Sequence, residues 1–398
     1  MDVNFWKSRR VFVTGHTGFK GSWLALWLHS MGAEVCGYSL EPPTEPSLYR
    51  LLHLEGQFRS IRGDIREQDE LQSAMGEFAP EVVIHMAAQP LVRLSYQSPV
   101  ETYAVNVLGT VHLLEAVRHT PSVRAVVVVT SDKCYENQES PQPYREHEAM
   151  GGHDPYSSSK GCAELVTSAY RRSFFHPDHW ATHRVAVASA RAGNVIGGGD
   201  WAPDRLVPDM VRAWAAGEAV VIRNPEAVRP WQHVLEPLAG YLTLAERLYA
   251  DGARFAEGWN FGPDEGDARP VRYVVTEMAR LWNVGTGNAV TEAAAGRGRM
   301  AGNAALPAAG VRWQDDAAAH VHEAHLLRLD SAKACARLGW APRWSLDETL
   351  AYTVEWYKGY YRGEDVRARS LIQILEYMAM QPAKVESAKV RSTPDGSA

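Results

Sequence analysis

Two short stretches carry residue types that can do acid–base chemistry. VTSDKCY, residues 129–135, ends a run of valines with a hydroxyl, a carboxylate and an ammonium side by side at Ser131, Asp132 and Lys133. DPYSSSK sets Tyr156 and Lys160 four residues apart at the start of a helix-length segment. Positions i and i+4 share a helix face, so the ammonium stands beside the phenol. A neighbouring positive charge favours phenolate and brings a tyrosine down from about 10 toward neutral pH, which makes Tyr156 a candidate general base for a sugar hydroxyl. The polar triplet reads either as a turn that caps a strand or as part of the same catalytic site.

A third stretch, VFVTGHTGFKGSWLALWL, places Gly15, Gly18 and Gly21 between an apolar strand and a helix. In that context the first glycine permits a tight turn, the second lets backbone approach a pyrophosphate, and the third lets helix pack on strand. The helix start supplies free N–H groups and a partial positive charge to phosphates, so a dinucleotide is the expected ligand. The next apolar run ends GYSLEPP, with neither the acidic residue that grips an adenosine ribose nor an arginine for a 2′-phosphate. Ser39 suits either a hydroxyl or a phosphate. Asp64 and Ile65, at the end of a third run, are placed for an adenine contact or simply end the strand.

The elements that must position these residues are short apolar runs separated by helix-length segments: RVFVTG, AEVCGYSL, FRSIRGDI, EVVIHMAA, RAVVVVTS and HRVAVASA. Such alternation predicts βαβ crossovers and an α/β fold with a doubly wound parallel sheet, Rossmann-like, buried on both faces. Residues 1–195 read as the dinucleotide-binding domain. Beyond it Gly, Pro and Trp crowd together in RAGNVIGGGDW, and residues 196–375 read as a smaller mixed α/β lobe for the substrate, with some later segments able to return to the first domain. The Ala/Gly-rich stretch 285–310 reads as a mobile insertion, either a plain surface loop or a lid, and 384–398 as a disordered tail.

Among 398 residues, 45% are hydrophobic and 22% charged, and the formal net charge is -6. That balance gives no field to gather nucleic acid or anionic lipid, so neither is an expected partner. Cys36, Cys134, Cys162 and Cys335 are scattered without metal-ligand or paired spacing, so no metal site is expected and a reducing, cytoplasmic location is. The opening MDVNFWKSRR holds no leader-like apolar core, and no segment approaches the ~18 apolar residues of a membrane span.

Longer strings add a resemblance. VTGHTGFKGSWL, HMAAQPLVRLSY, TSDKCYEN, DPYSSSKGCAELV, RAGNVIGGGDWAPDRLVPD, RNPEAVRPWQHVLEPL and WNFGP resemble the nucleotide-sugar branch of the extended short-chain dehydrogenase/reductase family, and within it the CDP-sugar 4,6-dehydratases. The resemblance covers nearly the whole chain apart from the Ala/Gly-rich stretch and the tail. It implies NAD as cofactor and conversion of CDP-D-glucose to CDP-4-dehydro-6-deoxy-D-glucose and water, for deoxysugar biosynthesis of the lipopolysaccharide O-antigen type. In that reaction C4 is oxidised, C5–H is lost with the C6 hydroxyl, and the hydride returns to C6. Ser131, Tyr156 and Lys160 suffice for oxidation. Asp132 is then the acid for the departing C6 hydroxyl, while Lys133 helps at C5 as a neutral base or as a charged stabiliser of the enolate. Most similar 4,6-dehydratases carry Asp-Glu there, so Lys133 departs from the broad pattern.

The resemblance further implies cofactor contacts at Gly15, Thr17, Gly18, Phe19, Gly21, Asp64, Ile65, Ala87, Ala88, Gln89 and Asn106, with Tyr156 and Lys160. It implies substrate contacts at Asn194, Arg205 and Arg229. Arg93 serves the sugar, the diphosphate or an interface ion pair, and His233 is a substrate contact or a structural histidine. Trp201 and Trp231 are expected to pack rather than to stack on a base. The segment beginning at Pro99 and the Tyr156 helix resemble a dimer-forming pair, so a homo-oligomer, dimer or tetramer, is expected. The rival readings are a nucleotide-sugar 4-epimerase, which has no use for an acid at C6, and a non-catalytic NAD-binding protein.

Overall fold

The computed structural model describes residues 1–283, 313–316 and 326–380; the stretch 285–310 and the tail 384–398 lie outside the described residues. The six runs form strands β1 (Arg10–Thr14), β2 (Glu34–Ser39), β3 (Arg59–Arg62), β4 (Val82–His85), β5 (Ala125–Val129) and β6 (Ala186–Ala192). A seventh, β7 (Gly258–Phe261), comes from beyond residue 195 and joins the same sheet beside β6. The order is β3-β2-β1-β4-β5-β6-β7, with every pairing parallel. This is a doubly wound, Rossmann-like sheet whose order reverses between β1 and β4, where the loops at the strand ends part and leave a crevice.

Strands β4, β5 and β6 are buried at every position, as near-continuous apolar runs in a two-faced parallel sheet should be. Helix α1 (Phe19–Ser30) buries Trp23, Leu24, Leu26, Trp27 and Leu28 together, an all-round burial that a surface amphipathic helix would not show. It has a second neighbour besides the sheet. Trp27 meets the Tyr377 ring edge-on at 5.7 Å, and Tyr377 belongs to a late helix, Val366–Ala379.

The other crossovers are α2 (Gln68–Phe78), α3 (Pro99–Tyr103) running through a π-helical turn, Ala104–Leu108, into α4 (Gly109–Arg118), and α5 (Pro155–Ser173). Between β6 and β7 lie α6 (Leu206–Ala215) and α7 (Leu235–Phe255). α5 starts where it does because Pro155 fits the first turn and the Asp154 carboxylate accepts from Ser157 N at 2.9 Å. That cap fixes which residues face β5 one turn later. Behind them Arg191 of β6 forms a buried two-pronged pair with Glu164 of α5, at 2.8 Å and 2.9 Å. Asn260 ties β7 to the same layer, accepting from the Tyr135 hydroxyl at 2.7 Å and donating to Tyr144 O at 2.9 Å.

Candidate active site

The loops at the carboxyl ends of β1, β4, β5 and β6 surround one cavity of about 920 Å³, toward the upper end of the range for small-molecule sites. Gly15, with φ +76°, turns the chain from β1 into α1, and a Cβ there would sit 2.7 Å from Ala87 N. A Cβ at Gly21 would lie 2.0 Å from Gly15 O, so turn and helix approach each other only without side chains. At Gly18 the nearest neighbour of such a Cβ is 3.5 Å away, and the face is open to the cavity. Gly18 caps α1 without a side-chain hydrogen bond, which leaves the first backbone N–H groups of the helix for an anion. A glycine cradle and an uncapped helix start at the sheet's switch point fit a dinucleotide.

Most of the expected cofactor contacts line this cavity: Gly15, Thr17, Gly18, Phe19, Gly21, Asp64, Ile65, Ala87, Ala88 and Gln89. Asn106 does not. It is buried behind Gln89, accepting from Gln89 N at 2.9 Å and donating to Gln89 O at 3.1 Å and Ser159 Oγ at 2.8 Å. Its amide holds the loop that meets the ligand rather than the ligand. Near Ser39 the structure also supplies an arginine that the local string lacks. Arg62 is the register partner of Ser39 on β3, and its guanidinium is held by Glu41 at 2.8 Å. His16 turns away from the cavity toward Ser60 Oγ at 2.7 Å, and burial, helped by Arg62, lowers it to about 4.

Beyond β5 the chain turns at once into a 3-10 turn, Asp132–Cys134, capped by Ser131. The Ser131 hydroxyl accepts from Lys133 N at 3.2 Å and donates to Asp132 Oδ1 at 2.9 Å. The Tyr156 phenol lines the same cavity, and Ser131 lowers its hold on its proton. Ser131 therefore acts on both groups expected to serve as base and acid. Asp132 is 3% exposed, its Oδ2 has no hydrogen-bond partner among the described residues, and burial raises its carboxyl above the usual range against Lys133, the Ser131 bond, Arg229 and Lys20. A buried, easily protonated carboxyl suits a proton donor.

Tyr156 differs from expectation. Burial is the largest influence and pushes it up to about 12, the Ser131 bond pulls it down, and Asp132 pushes it up further. Lys160 is lowered to about 8 by its own burial and reaches toward Val129 O at 3.5 Å, at the end of β5. Both side chains line the cavity, as the i, i+4 spacing leads one to expect.

Of the expected substrate contacts, Arg93, Asn194, Arg205 and Arg229 line the cavity. Arg205 is held by Asp200 at 3.0 Å and Arg93 by Asp204 at 3.3 Å, so the guanidinium groups are oriented before any ligand arrives. Arg229 is buried and donates to Val228 O at 3.0 Å. His233 is a correction. It is fully buried outside the cavity, edge-on to Trp23 at 6.0 Å and Trp344 at 4.7 Å, and burial lowers it to about 3. Its neighbours make it a core residue. Trp231 packs and donates to Arg269 O at 2.9 Å, while Trp201 stands among Tyr357 and Tyr360 with one face on the cavity.

Two further cavity residues, Lys20 in VTGHTGFKGSWL and Arg223 in RNPEAVRPWQHVLEPL, are not among the expected contacts. Arg223 reaches the cavity from a short strand, Val220–Ile222, paired with Asp204 at 3.1 Å and Asp209 at 3.5 Å. Lys20, in the first turn of α1, lies on the same wall as the glycines and faces the catalytic side. Spacing alone does not say which way a first-turn side chain points. Among the described residues no helix is long and apolar enough to cross a membrane.

A doubly wound sheet, a glycine cradle and a Ser-Tyr-Lys cluster at its switch point define a dinucleotide-dependent enzyme of nucleotide sugars. The model of the GDP-mannose 4,6 dehydratase family matches residues 12–353, and the chain belongs to that family. It is 54% identical to a CDP-glucose 4,6-dehydratase of Salmonella typhimurium over 379 residues, 95% of this chain and 99% of that one. It is also 30% identical to a UDP-glucose 4-epimerase of Mycolicibacterium smegmatis, over 88% of this chain and 98% of the relative. Among solved structures, MoeE5 in complex with UDP-glucuronic acid and NAD superposes with a TM-score of 0.68 at 26% identity, covering 88% of this chain and 99% of that one.

Proposed function

We propose that the site dehydrates CDP-D-glucose to CDP-4-dehydro-6-deoxy-D-glucose. The observation that carries this reading is the buried Ser131-Asp132-Lys133 turn in a chain 54% identical, nearly end to end, to a CDP-glucose 4,6-dehydratase. NAD, when bound in the glycine cradle, supplies the hydride acceptor and donor that makes the sequence redox-neutral. The rest falls to this chain's residues. Tyr156, as phenolate, takes the proton of the C4 hydroxyl, and burial, which pushes it up to about 12, makes it hold that proton firmly. Oxidation at C4 acidifies C5–H. Asp132, kept protonated by burial, gives its proton to the C6 hydroxyl, which leaves as water, while the C5 proton passes to the Lys133 amine beside it.

Lys133 lines the cavity next to Asp132, and its charge is the strongest electrostatic pull on that carboxyl. Taking the C5 proton turns Lys133 into the ammonium that stabilises the enolate. Arg93, Arg205, Arg223 and Arg229 take the diphosphate, whose oxygens suit planar guanidinium forks. An epimerase shares the cradle and the Tyr156–Lys160 pair but gains nothing from an acid at C6. The preference for cytosine rests on the identity with the Salmonella protein, not on any contact.

The oligomer belongs to the same reading. Val100 is 82% exposed, Leu108 53% and Leu165 60%, on neighbouring helical segments that pack side by side. An apolar face of that kind supports a homodimer through the α3–α4 segment and α5. The four cysteines, all free, support a reducing, cytoplasmic setting. Incubation with NAD and CDP-, dTDP-, GDP- or UDP-glucose in turn, followed by mass spectrometry, tests the reading: loss of one water from CDP-glucose is expected. Interconversion of sugars without loss of water would make it an epimerase.

A further inference from the structure

Asp204, in GDWAPDR just before α6, puts a carboxylate among the arginines that line the cavity. Its Oδ1 accepts from two of them at once, Arg93 Nη1 at 3.3 Å and Arg223 Nη1 at 3.1 Å. Arg93 comes from the short helix Val92–Gln97 after β4, and Arg223 follows the strand Val220–Ile222, so one oxygen joins two walls of the cavity that are far apart in the chain. Two guanidinium groups converging on one oxyanion is the arrangement a phosphate asks for. Arg205, the next residue, turns instead to Asp200 at 3.0 Å. Asp204 has φ +60°, a left-handed backbone that Asp and Asn tolerate better than most side chains.

We propose that Asp204 is a built-in competitor of the substrate's diphosphate, a carboxylate that holds Arg93 and Arg223 in place and must yield them when the diphosphate binds. The inference rests on reading those arginines as diphosphate contacts. A nucleotide diphosphate brings its own oxyanions to the same two forks, and a carboxylate beside it repels it. Arg223 keeps its place after the exchange, because its other nitrogen reaches Asp209 at 3.5 Å. Substrate and product of the dehydration carry the same diphosphate, so contacts to it strengthen both equally and add nothing to the chemical step. A competing carboxylate weakens that shared hold and lets product leave.

The test is calorimetric titration of the NAD-bound enzyme with CDP, and with cytidine as a ligand that lacks the diphosphate. Asp204→Asn keeps the shape and suits the left-handed backbone but gives up the charge, so CDP should bind about tenfold tighter while cytidine binding is unchanged. In turnover of CDP-glucose, KM should fall with the Kd of CDP while kcat does not rise. The gain should shrink in an Arg223→Gln background, since the carboxylate acts through that arginine. Asp204→Ser replaces the Asn variant if that does not fold. Equal or weaker CDP binding in Asp204→Asn, which a mere brace for the arginines would give, overturns the proposal. So does the full gain in the Arg223→Gln background, which is plain charge repulsion. CDP binding no tighter than cytidine in the unmodified enzyme would sink the diphosphate reading of the arginines and the proposal with it; product analysis tests the dehydratase reading separately.

Discussion

Asp132 and Lys133 separate an enzyme that removes water from one that merely oxidises and reduces. Asp132→Asn keeps the Ser131 contact but cannot donate a proton, so C4 oxidation should survive and be seen as NADH absorbance, while water loss falls about 10²–10⁴-fold. Lys133→Met should show the same split, with elimination reduced by about 10²–10⁴-fold. Full product formation at the normal rate in either variant would remove that residue from the mechanism. At this scale the sequence was legible where chemistry is written in adjacent letters: Ser131, Asp132, Lys133, Tyr156 and Lys160 all line the cavity. It was misleading where direction matters. His233 and Asn106 sit in strings full of functional residues, yet one is walled in by Trp23 and Trp344 and the other supports Gln89. Lys20 and Arg223 are their converse, lying in such strings and lining the cavity although spacing assigned them no role.

Among the elements, two buried carboxylates make opposite predictions. Glu164 is paired in two places with Arg191, so Glu164→Gln strands a buried guanidinium and should cost about 3–5 kcal/mol in chemical denaturation. A loss well under 1 kcal/mol would mean the pair is replaceable. Glu236, at the start of α7, accepts from Arg343 N, Trp344 N and the Tyr377 hydroxyl and so ties the chain's last described helix to α7. Burial nevertheless raises it from 4.5 to about 7. A folded-state value above the unfolded one means the native form binds the extra proton, so its contribution is full below about pH 4.5 and fades as pH rises through about 7. The thermal midpoint should therefore drop more between pH 5.5 and 8 in the wild type than in Glu236→Gln; parallel curves would contradict this. Five of the six runs were readable as strands because each has four or more apolar or β-branched letters, and FRSIRGDI, with three, was readable from its place in the alternation. β7 was not, because GWNF opens on glycine and carries Asn260, whose side chain bonds the neighbouring layer.

For the whole molecule, the exposed apolar face on the α3–α4 segment and α5 predicts assembly. Val100→Glu with Leu165→Glu places like charges on that face and should convert a dimer to a monomer in sedimentation equilibrium. An unchanged mass would move the interface elsewhere. Six of the sheet's seven strands were legible because their period is simple, whereas what closes the cavity was not. Arg93 meets Asp204 across 111 positions of chain, and Trp201 meets Tyr357, contacts that no spacing rule predicts. The central claim is that one site oxidises C4, eliminates water across C5 and C6, and keeps the hydride. The most direct measurement is turnover of CDP-glucose deuterated at C4, with the product read by mass spectrometry and NMR. The account predicts one water lost and the deuterium at C6 of the same molecule; deuterium still at C4 with no water lost, or its loss to solvent, would contradict it.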